Sequence, residues 1–277
     1  MRTIITFSTA LTAAILTLSP SLGQAPLQKQ RTQAQKLQKD GNWKEAYELY
    51  ENLLAQDGNS GAAAADDLNN AVACLNALNR RALFDPFIET VIDEHADDWR
   101  VLARAAHLYM GTQHWGFIIA GEFKRGQHRG GGRHVNSFER DRTRALALME
   151  KAYLLAEDEE DAAAKARFLL DFAAAISGNR NRNEAWRLQD LTDFNVLPDW
   201  QEGGYYGARN VGAPVDENGA PLLYNVPASW AEAKNDGERW RLLLTEAAEA
   251  DPAVASEAKY RWAGFLRGQF GVETMQR

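Results

Sequence analysis

From residue 28 onward, apolar side chains recur every three or four positions, and almost no segment alternates between apolar and polar residues. The first spacing places side chains on one face of an α-helix, whereas alternation is expected of a half-buried strand. We therefore predict an all-α fold, built as an irregular solenoid of antiparallel helix hairpins. Before residue 194, the predicted helices cover residues 28–39, 43–54, 66–78, 85–95, 99–110, 115–124, 137–156, 161–176 and 183–191.

The first two predicted helices have the spacing of a tetratricopeptide repeat. In such a repeat, a small residue near the turn lets two helices approach, and large residues three or four positions apart fill the space between them. The first helix fits less well, because Gln30 stands where an aromatic residue is usual, although Ala34 is suitably small. The matching residues of the second half are Gly41, Trp43, Ala46, Tyr50 and Leu53.

The core has to be stable without a disulfide, because Cys74 is the only cysteine of the 277-residue chain. Eight Trp, eight Tyr and eleven Phe supply enough large apolar side chains for such a core. Cys74 itself lies in an apolar helical context, which predicts a buried and unreactive thiol. The net charge of −7 argues against a nucleic-acid-binding protein, whose affinity comes from clustered cations.

Residues 1–25 have the pattern of a secretory signal peptide. Arg2 precedes an uncharged apolar stretch from Ile4 to Leu18, and small residues at Gly23 and Ala25 suit a signal peptidase. We therefore expect an exported protein, periplasmic or secreted, cleaved after Ala25. The alternative is an uncleaved N-terminal helix that anchors the chain.

Two further helices are predicted in the C-terminal region, residues 229–277. Ser229 and Glu232 have the spacing of a capping box, in which both side chains bond to free backbone N–H groups at a helix start. Asp251 and Pro252 indicate the start of the last helix, because proline is tolerated in a first turn. The apolar stripe of this helix is Val254, Ala258, Trp262 and Phe265, and its predicted end is at Gly268 and Gly271.

Between the helical-hairpin region, residues 26–193, and this pair lies an irregular segment, residues 194–228. It holds four of the eight prolines and a predicted turn at Asn218-Gly219, which suits a small β-hairpin. Long connections of this kind are often functional. Its aromatic residues either pack over helix ends or form an interface for a partner: Trp200, Tyr205, Tyr206 and Tyr224.

The densest cationic segment is a glycine-rich stretch between two predicted helices. Three successive glycines and a following helix N-terminus make an anion site physically possible, but the spacing of a phosphate-binding loop is missing. The alternatives are a structural loop that pairs with acids elsewhere and a site for an acidic partner. The candidate residues for partner or anion binding are Lys124, Arg125, His128, Arg129, Arg133 and His134.

Catalytic and metal-binding patterns are missing from the sequence. The five histidines have no compact metal-ligand spacing, and the acidic run Glu157–Asp161 lacks the alternating ligands and glycine of a calcium loop. We interpret that run as a solvated turn. No serine motif or activated nucleophile is recognisable either. We therefore expect no enzyme activity, no catalytic residue, no metal and no cofactor.

Five segments together resemble the helical N-terminal region of large bacterial alpha-2-macroglobulin-like proteins. They are Gly121–Phe123, Arg129–Arg142, Gly212–Asp216, Asp236–Trp240 and Gln269–Val272. In that family, a protease cleaves a bait segment and is enclosed by the resulting collapse, and many members also capture it through a thioester. The resemblance therefore implies an exported protein that belongs to a protease-trapping system.

This chain departs from the family pattern in its trapping parts. The thioester needs Cys-Gly-Glu-Gln, whereas Leu75-Asn-Ala77 follows Cys74, and no bait segment or series of β-sandwich domains is recognisable. The expected function is a non-catalytic scaffold module that leads into downstream macroglobulin-type domains and meets proteases only through the whole protein. The alternative is a free-standing exported module that binds a protein partner. Neither reading predicts nucleic-acid binding, or membrane attachment after signal cleavage.

Overall fold

The computed structural model describes residues 24–178, 185–202 and 215–270, and the fold is predominantly helical, as predicted. Residues 1–23 of the predicted signal peptide, residues 1–25, lie outside the described residues. Within the described ranges the helices are α1 (Gln24–Lys39), α2 (Trp43–Leu54), α3 (Gly61–Ala77), α4 (Phe84–Glu94), α5 (Trp99–Gly111), α6 (Phe138–Leu155), α7 (Ala162–Ser177), α8 (Asp236–Ala250) and α9 (Ala255–Phe270).

The predicted tetratricopeptide-like pair is formed by α1 and α2. Ala34 of α1 is fully enclosed where it faces α2, and Gly41 adopts a φ of 82° in the connecting turn. This left-handed conformation favours glycine, because other residues pay a steric cost for it. The residues of α2 that fill the interface are Ala46, Tyr50 and Leu53, all of them fully buried.

Side-chain contacts connect alternate helices into two rows. One row runs through the odd-numbered helices and the other through the even-numbered helices, so each helix touches the helix two places along the chain. The odd row is joined by Arg31–Asp67, Arg104–Asp66, His107–Asp171 and Arg167–Glu257. The even row is joined by Tyr47–Phe87, Arg144–Glu89 and Tyr153–Glu246.

Residues 115–124 form a β-hairpin, so the helix predicted there is wrong. Strand β1 (Trp115–Ile119) pairs antiparallel with β2 (Glu122–Arg125) across a turn in which Ala120 and Gly121 have φ angles of 51° and 88°. Gly116 allows the two strands to approach, since a Cβ there would overlap the carbonyl oxygen of Lys124. Aromatic and β-branched residues make up the rest of β1, and such residues favour strands.

Two further strands complete a small sheet of order β2-β1-β3-β4. Strand β3 (Arg133–Asn136) pairs with β1, and the two-residue β4 (Gln201–Glu202) pairs with β3. The sheet therefore joins the glycine-rich segment to the irregular segment, residues 194–228.

The start of α8 differs from the prediction. Ser229 makes no capping hydrogen bond, and only a short 3₁₀ turn, Trp230–Glu232, follows it. The capping pattern lies six residues later instead: Asn235 accepts a hydrogen bond from the Glu238 backbone N–H, and the Glu238 carboxylate accepts one from the Lys234 N–H. The predicted cap of the last helix is confirmed, since Asp251 accepts from the Ala253 N–H ahead of α9.

The connection before α8 contains less regular structure than predicted. The helix expected over 183–191 is reduced to a 3₁₀ turn, Ala185–Gln189, among the described residues. The expected hairpin around Asn218-Gly219 is a turn closed by one bridge between Val215 and Pro221, with Gly219 at a φ of 79°.

One hydrophobic core extends from Leu27 of α1 to Phe265 of α9. Cys74 is a fully buried member of it, as predicted, and burial raises the pKa of its thiol to about 11. None of the described helices is both long and apolar enough to span a bilayer.

Candidate functional site

Arg125 was expected on a basic loop, but its side chain is only 1% exposed and forms two ion pairs inside the protein. Its guanidinium donates to both carboxylate oxygens of Asp85, at 3.0 and 2.6 Å, and to both of Asp141, at 2.8 and 2.9 Å. It also donates to the Gln113 carbonyl at 2.7 Å. Arg125 therefore connects β2 to α4 and α6 and is not available to a ligand.

Asp141 is the main acceptor of this buried cluster. Besides Arg125, the Ser137 hydroxyl donates to it at 2.7 Å, and His114 Nδ1 lies 2.8 Å from it. Burial alone would raise the pKa of Asp141, but the hydrogen bonds from His114, Arg125 and Ser137 outweigh burial and hold the pKa below its ordinary value. Serine, histidine and aspartate do meet here, but the Ser137 hydroxyl and the His114 ring both bond to Asp141, and the hydrogen bond between Ser137 and His114 is a backbone one, from the Ser137 N–H to the His114 carbonyl at 2.8 Å. The Ser137 hydroxyl therefore faces a carboxylate and not a histidine base, which is the arrangement of a structural cluster.

The other candidates of the glycine-rich segment are exposed and make weak contacts. Lys124 pairs with Glu122 beside it, and Arg133 pairs with Glu202 of β4. His128 and His134 pack their rings near Phe117 of β1, at 6.3 and 5.2 Å between centroids. Arg129 is exposed. The sheet thus separates these six residues, with Arg125 inside and the others on the surface.

A cationic cavity of about 310 Å³ lies beside this segment and includes arginines that sequence reasoning did not single out. Arg80 and Arg81, both exposed, follow α3 and face Gln127 of the glycine-rich segment. The adjacent arginines Arg80 and Arg81 are visible in the sequence as a small cationic cluster. Nothing in the sequence indicates, however, that β2 packs beside them to form a cavity. Arg125 lines the inner wall, where its charge is already neutralised.

A groove runs along the odd-numbered row of helices. Two cavities of about 310 and 280 Å³ share His107 and Asp171, so they form one continuous depression between α3, α5 and α7. It follows α5 from Trp99 to Met110, a length of roughly 17 Å at the helical rise. Its walls are lined by small and apolar residues: Ala62, Ala65, Ala103, Ala164, Ala174, Ala175, Met110, Phe138 and Phe168.

The charges along the groove are paired but partly exposed. Arg104 lies 3.3 Å from Asp66, and His107 Nε2 lies 3.6 Å from Asp171. Exposed pairs of this kind contribute little to stability, because water screens them. Separating Arg104 from Asp66 would therefore cost the protein little stability.

The acidic run Glu157–Asp161 is not the purely solvated turn we expected. The Glu159 carboxylate accepts hydrogen bonds from Arg100, at 2.6 Å, and from the Trp99 indole, at 2.8 Å. The Arg100 hydrogen bond is the main reason that the pKa of Glu159 is lowered to about 2. Glu159 thus holds Trp99 and Arg100 in place where α5 begins, at one end of the groove.

The aromatic residues of the irregular segment pack inward where the structure describes them. Trp200 stacks on Phe123, 4.5 Å between centroids, and under the Arg140 guanidinium. Tyr224 is 5% exposed. These two support the packing interpretation over an open interface, whereas Tyr205 and Tyr206 lie outside the described residues.

Within the described parts of the chain, no group of three or more His, Cys, Asp or Glu side chains is arranged to hold a metal ion. No protein-family model, curated protein or solved structure matches this chain.

Proposed function

We propose that this chain is a non-catalytic helical scaffold that binds a protein partner in the groove between α3, α5 and α7. We also propose that the chain is the leading module of a larger, exported alpha-2-macroglobulin-like inhibitor. That part rests on the resemblance of the five segments named above. The observation that carries the binding proposal is the groove itself.

Three properties of the groove favour a peptide segment of a partner as its occupant. A length of roughly 17 Å accommodates about five residues in extended conformation. Alanines such as Ala62 and Ala174 are exposed within it and leave room for a partner's backbone. The exposed cations Arg104 and Arg167 suit acidic side chains on that segment.

We expect Ala174→Trp to abolish partner binding without unfolding the protein. The new indole would fill the groove, while the exposed position of Ala174 leaves the core unchanged. The matched control is Ala163→Trp, also exposed on α7 but outside the groove lining. The measurement is photo-crosslinking in the producing cell, with a diazirine amino acid of similar size in place of Met110, which also lines the groove.

The expected result is one discrete adduct from the probe at position 110, which is retained in Ala163→Trp and lost in Ala174→Trp. An adduct of equal yield in both variants would contradict the proposal, since it would not depend on an open groove.

A leading module of a larger inhibitor and a free-standing binding module predict different sizes for the protein that the cell produces. An antibody against residues 26–277 should detect a band several times larger than this chain in exported fractions if the chain is a leading module. Inhibition would then be assayed on the whole protein. A band near the mature size would contradict the inhibitor assignment and favour a free-standing binding module.

A further inference from the structure

Arg241 of α8 is a buried cation that has no counter-ion among the described residues. The residue is 8% exposed, and among the described residues no carboxylate forms an ion pair or hydrogen bond with it. Its Nε atom is fully enclosed and has no hydrogen-bond partner. A buried guanidinium without an acceptor is unfavourable, because it has lost its hydration without replacement.

A second buried polar atom without a partner lies close to Arg241. Among the described residues, the hydroxyl of Tyr224 is enclosed without a hydrogen-bond partner, and it lies in electrostatic range of Arg241 as well as of Asp236 and Asp190. The Tyr224 ring lies directly on Gly237, where a Cβ would overlap it. Gly237 and Arg241 are four residues apart on α8 and share a helix face, which explains why the ring and the guanidinium lie together.

Trp262 of α9 completes the surroundings of Arg241. The guanidinium carbon lies 4.2 Å from the centre of the indole ring, a cation–π contact that orients the planar group. Burial lowers the pKa of Arg241 and raises that of Tyr224, as expected for groups that lack their polar partners.

A second arginine of α8, Arg239, provides a comparison, because a carboxylate does pair with it. Arg239 also stacks on aromatic rings, Phe194 and Trp230. The Nε atom of Arg239 is also buried without a hydrogen-bond partner, but its Nη1 atom pairs with Asp236 at 3.2 Å and donates to the Thr192 carbonyl. Both arginines thus have aromatic neighbours and an unpartnered Nε, but among the described residues a carboxylate pairs with Arg239 and none pairs with Arg241.

We propose that Arg241, Tyr224 and Trp262 form a binding site for a single carboxylate group of a ligand. The guanidinium and the phenol supply the donors, and Trp262 holds the guanidinium plane in place. One unpaired cation matches a carboxylate in charge, whereas a phosphate dianion requires more. The site lies outside the α3–α5–α7 groove and does not depend on the function proposed above.

The test uses the full chain and propionate as the probe, with sodium chloride at the same ionic strength as the reference. We expect propionate to shift the Nε–H NMR resonance of Arg241 saturably and to raise the melting temperature by a few degrees. Arg241→Met should abolish both responses. Lys259→Gln, which removes an exposed cation of α9, should leave them unchanged.

If Arg241→Met does not fold, Arg241→Lys serves instead, and we expect at least tenfold weaker binding because lysine lacks the planar fork. Two further probes distinguish the source of the carboxylate. N-acetyl-glutamate amide carries it on a side chain, and N-acetyl-alanine carries it at a chain terminus. The tighter of the two identifies the kind of ligand.

Three results would overturn the proposal. The first is an equal response of the native protein and Arg241→Met. The second is tighter binding of inorganic phosphate than of any carboxylate. The third is an Arg241 Nε–H that is strongly protected in the free protein and indifferent to propionate, which would mean that the counter-ion comes from elsewhere in this chain.

Discussion

Replacing Arg125 by methionine is expected to lower the free energy of unfolding by about 3–5 kcal/mol. The side chain is 1% exposed and donates five hydrogen bonds to carboxylate and backbone carbonyl oxygens. Methionine has a similar volume, so the main loss is electrostatic: Asp141 stays buried without its cation. Denaturant unfolding followed by circular dichroism measures the change.

Arg133→Met is the matched control for this prediction. Arg133 lies in the same glycine-rich segment and also pairs with an acid, but its side chain is 51% exposed and that of Glu202 73%. The expected change is below about 1 kcal/mol. Similar losses in both variants would contradict the assignment of Arg125 as the internal link between the sheet and the helices.

The same cluster makes a prediction for acid pH. The pKa of Asp141 is below its ordinary value in the folded protein. Its ionised form therefore contributes stability above the unfolded pKa of about 3.9, and this contribution is lost as the pH falls through the folded pKa. The difference between the native protein and Arg125→Met should accordingly be largest at neutral pH and should shrink as the pH falls towards the folded pKa of Asp141. A difference that is constant with pH would contradict this account.

The parts of the fold that depend on local pattern were predictable. Helical periodicity located α1, α2, α6 and α7 within a few residues, and the cap of α9 followed from Asp251-Pro252. The sheet was missed because β1 is a short apolar run, and length and periodicity do not separate such a strand from a helix segment. The turn at Ala120 could not be predicted from its residue type, because alanine rarely adopts the positive φ that it has here.

The candidate sites were harder to predict, because they depend on which distant residues meet. Nothing in the sequence distinguishes Arg125 from Arg129, yet one is enclosed by Asp85 and Asp141 and the other is exposed. In the same way, Arg241 is unremarkable in the sequence. The folded structure shows that Tyr224 lies beside it and that none of the described carboxylates pairs with it.

Asp67 illustrates the same limit at the other end of the molecule, because a second charge cluster fixes α1. Its carboxylate is fully buried on α3 and accepts from Arg31 Nε and Nη2, both at 2.8 Å, and from the Asn59 amide at 3.1 Å. Asn59 in turn donates to the Leu53 carbonyl at the end of α2. One carboxylate thus holds α1, α2 and α3 together.

Asp67→Ala is expected to destabilise the protein by about 3 kcal/mol, because Arg31 loses its buried partner but retains slight exposure through which water can reach it. Asp66→Ala, one residue earlier, is the matched control: its side chain is 66% exposed and its pair with Arg104 should contribute less than about 1 kcal/mol. Both variants replace an aspartate of α3 with alanine, so both gain the same helix propensity. The difference between their free energies of unfolding therefore reports the effect of the buried ion pair. Hydrogen exchange should show α1 losing protection first in Asp67→Ala. Equal effects of the two variants, or uniform loss of protection along the chain, would show that α1 is not held by this carboxylate.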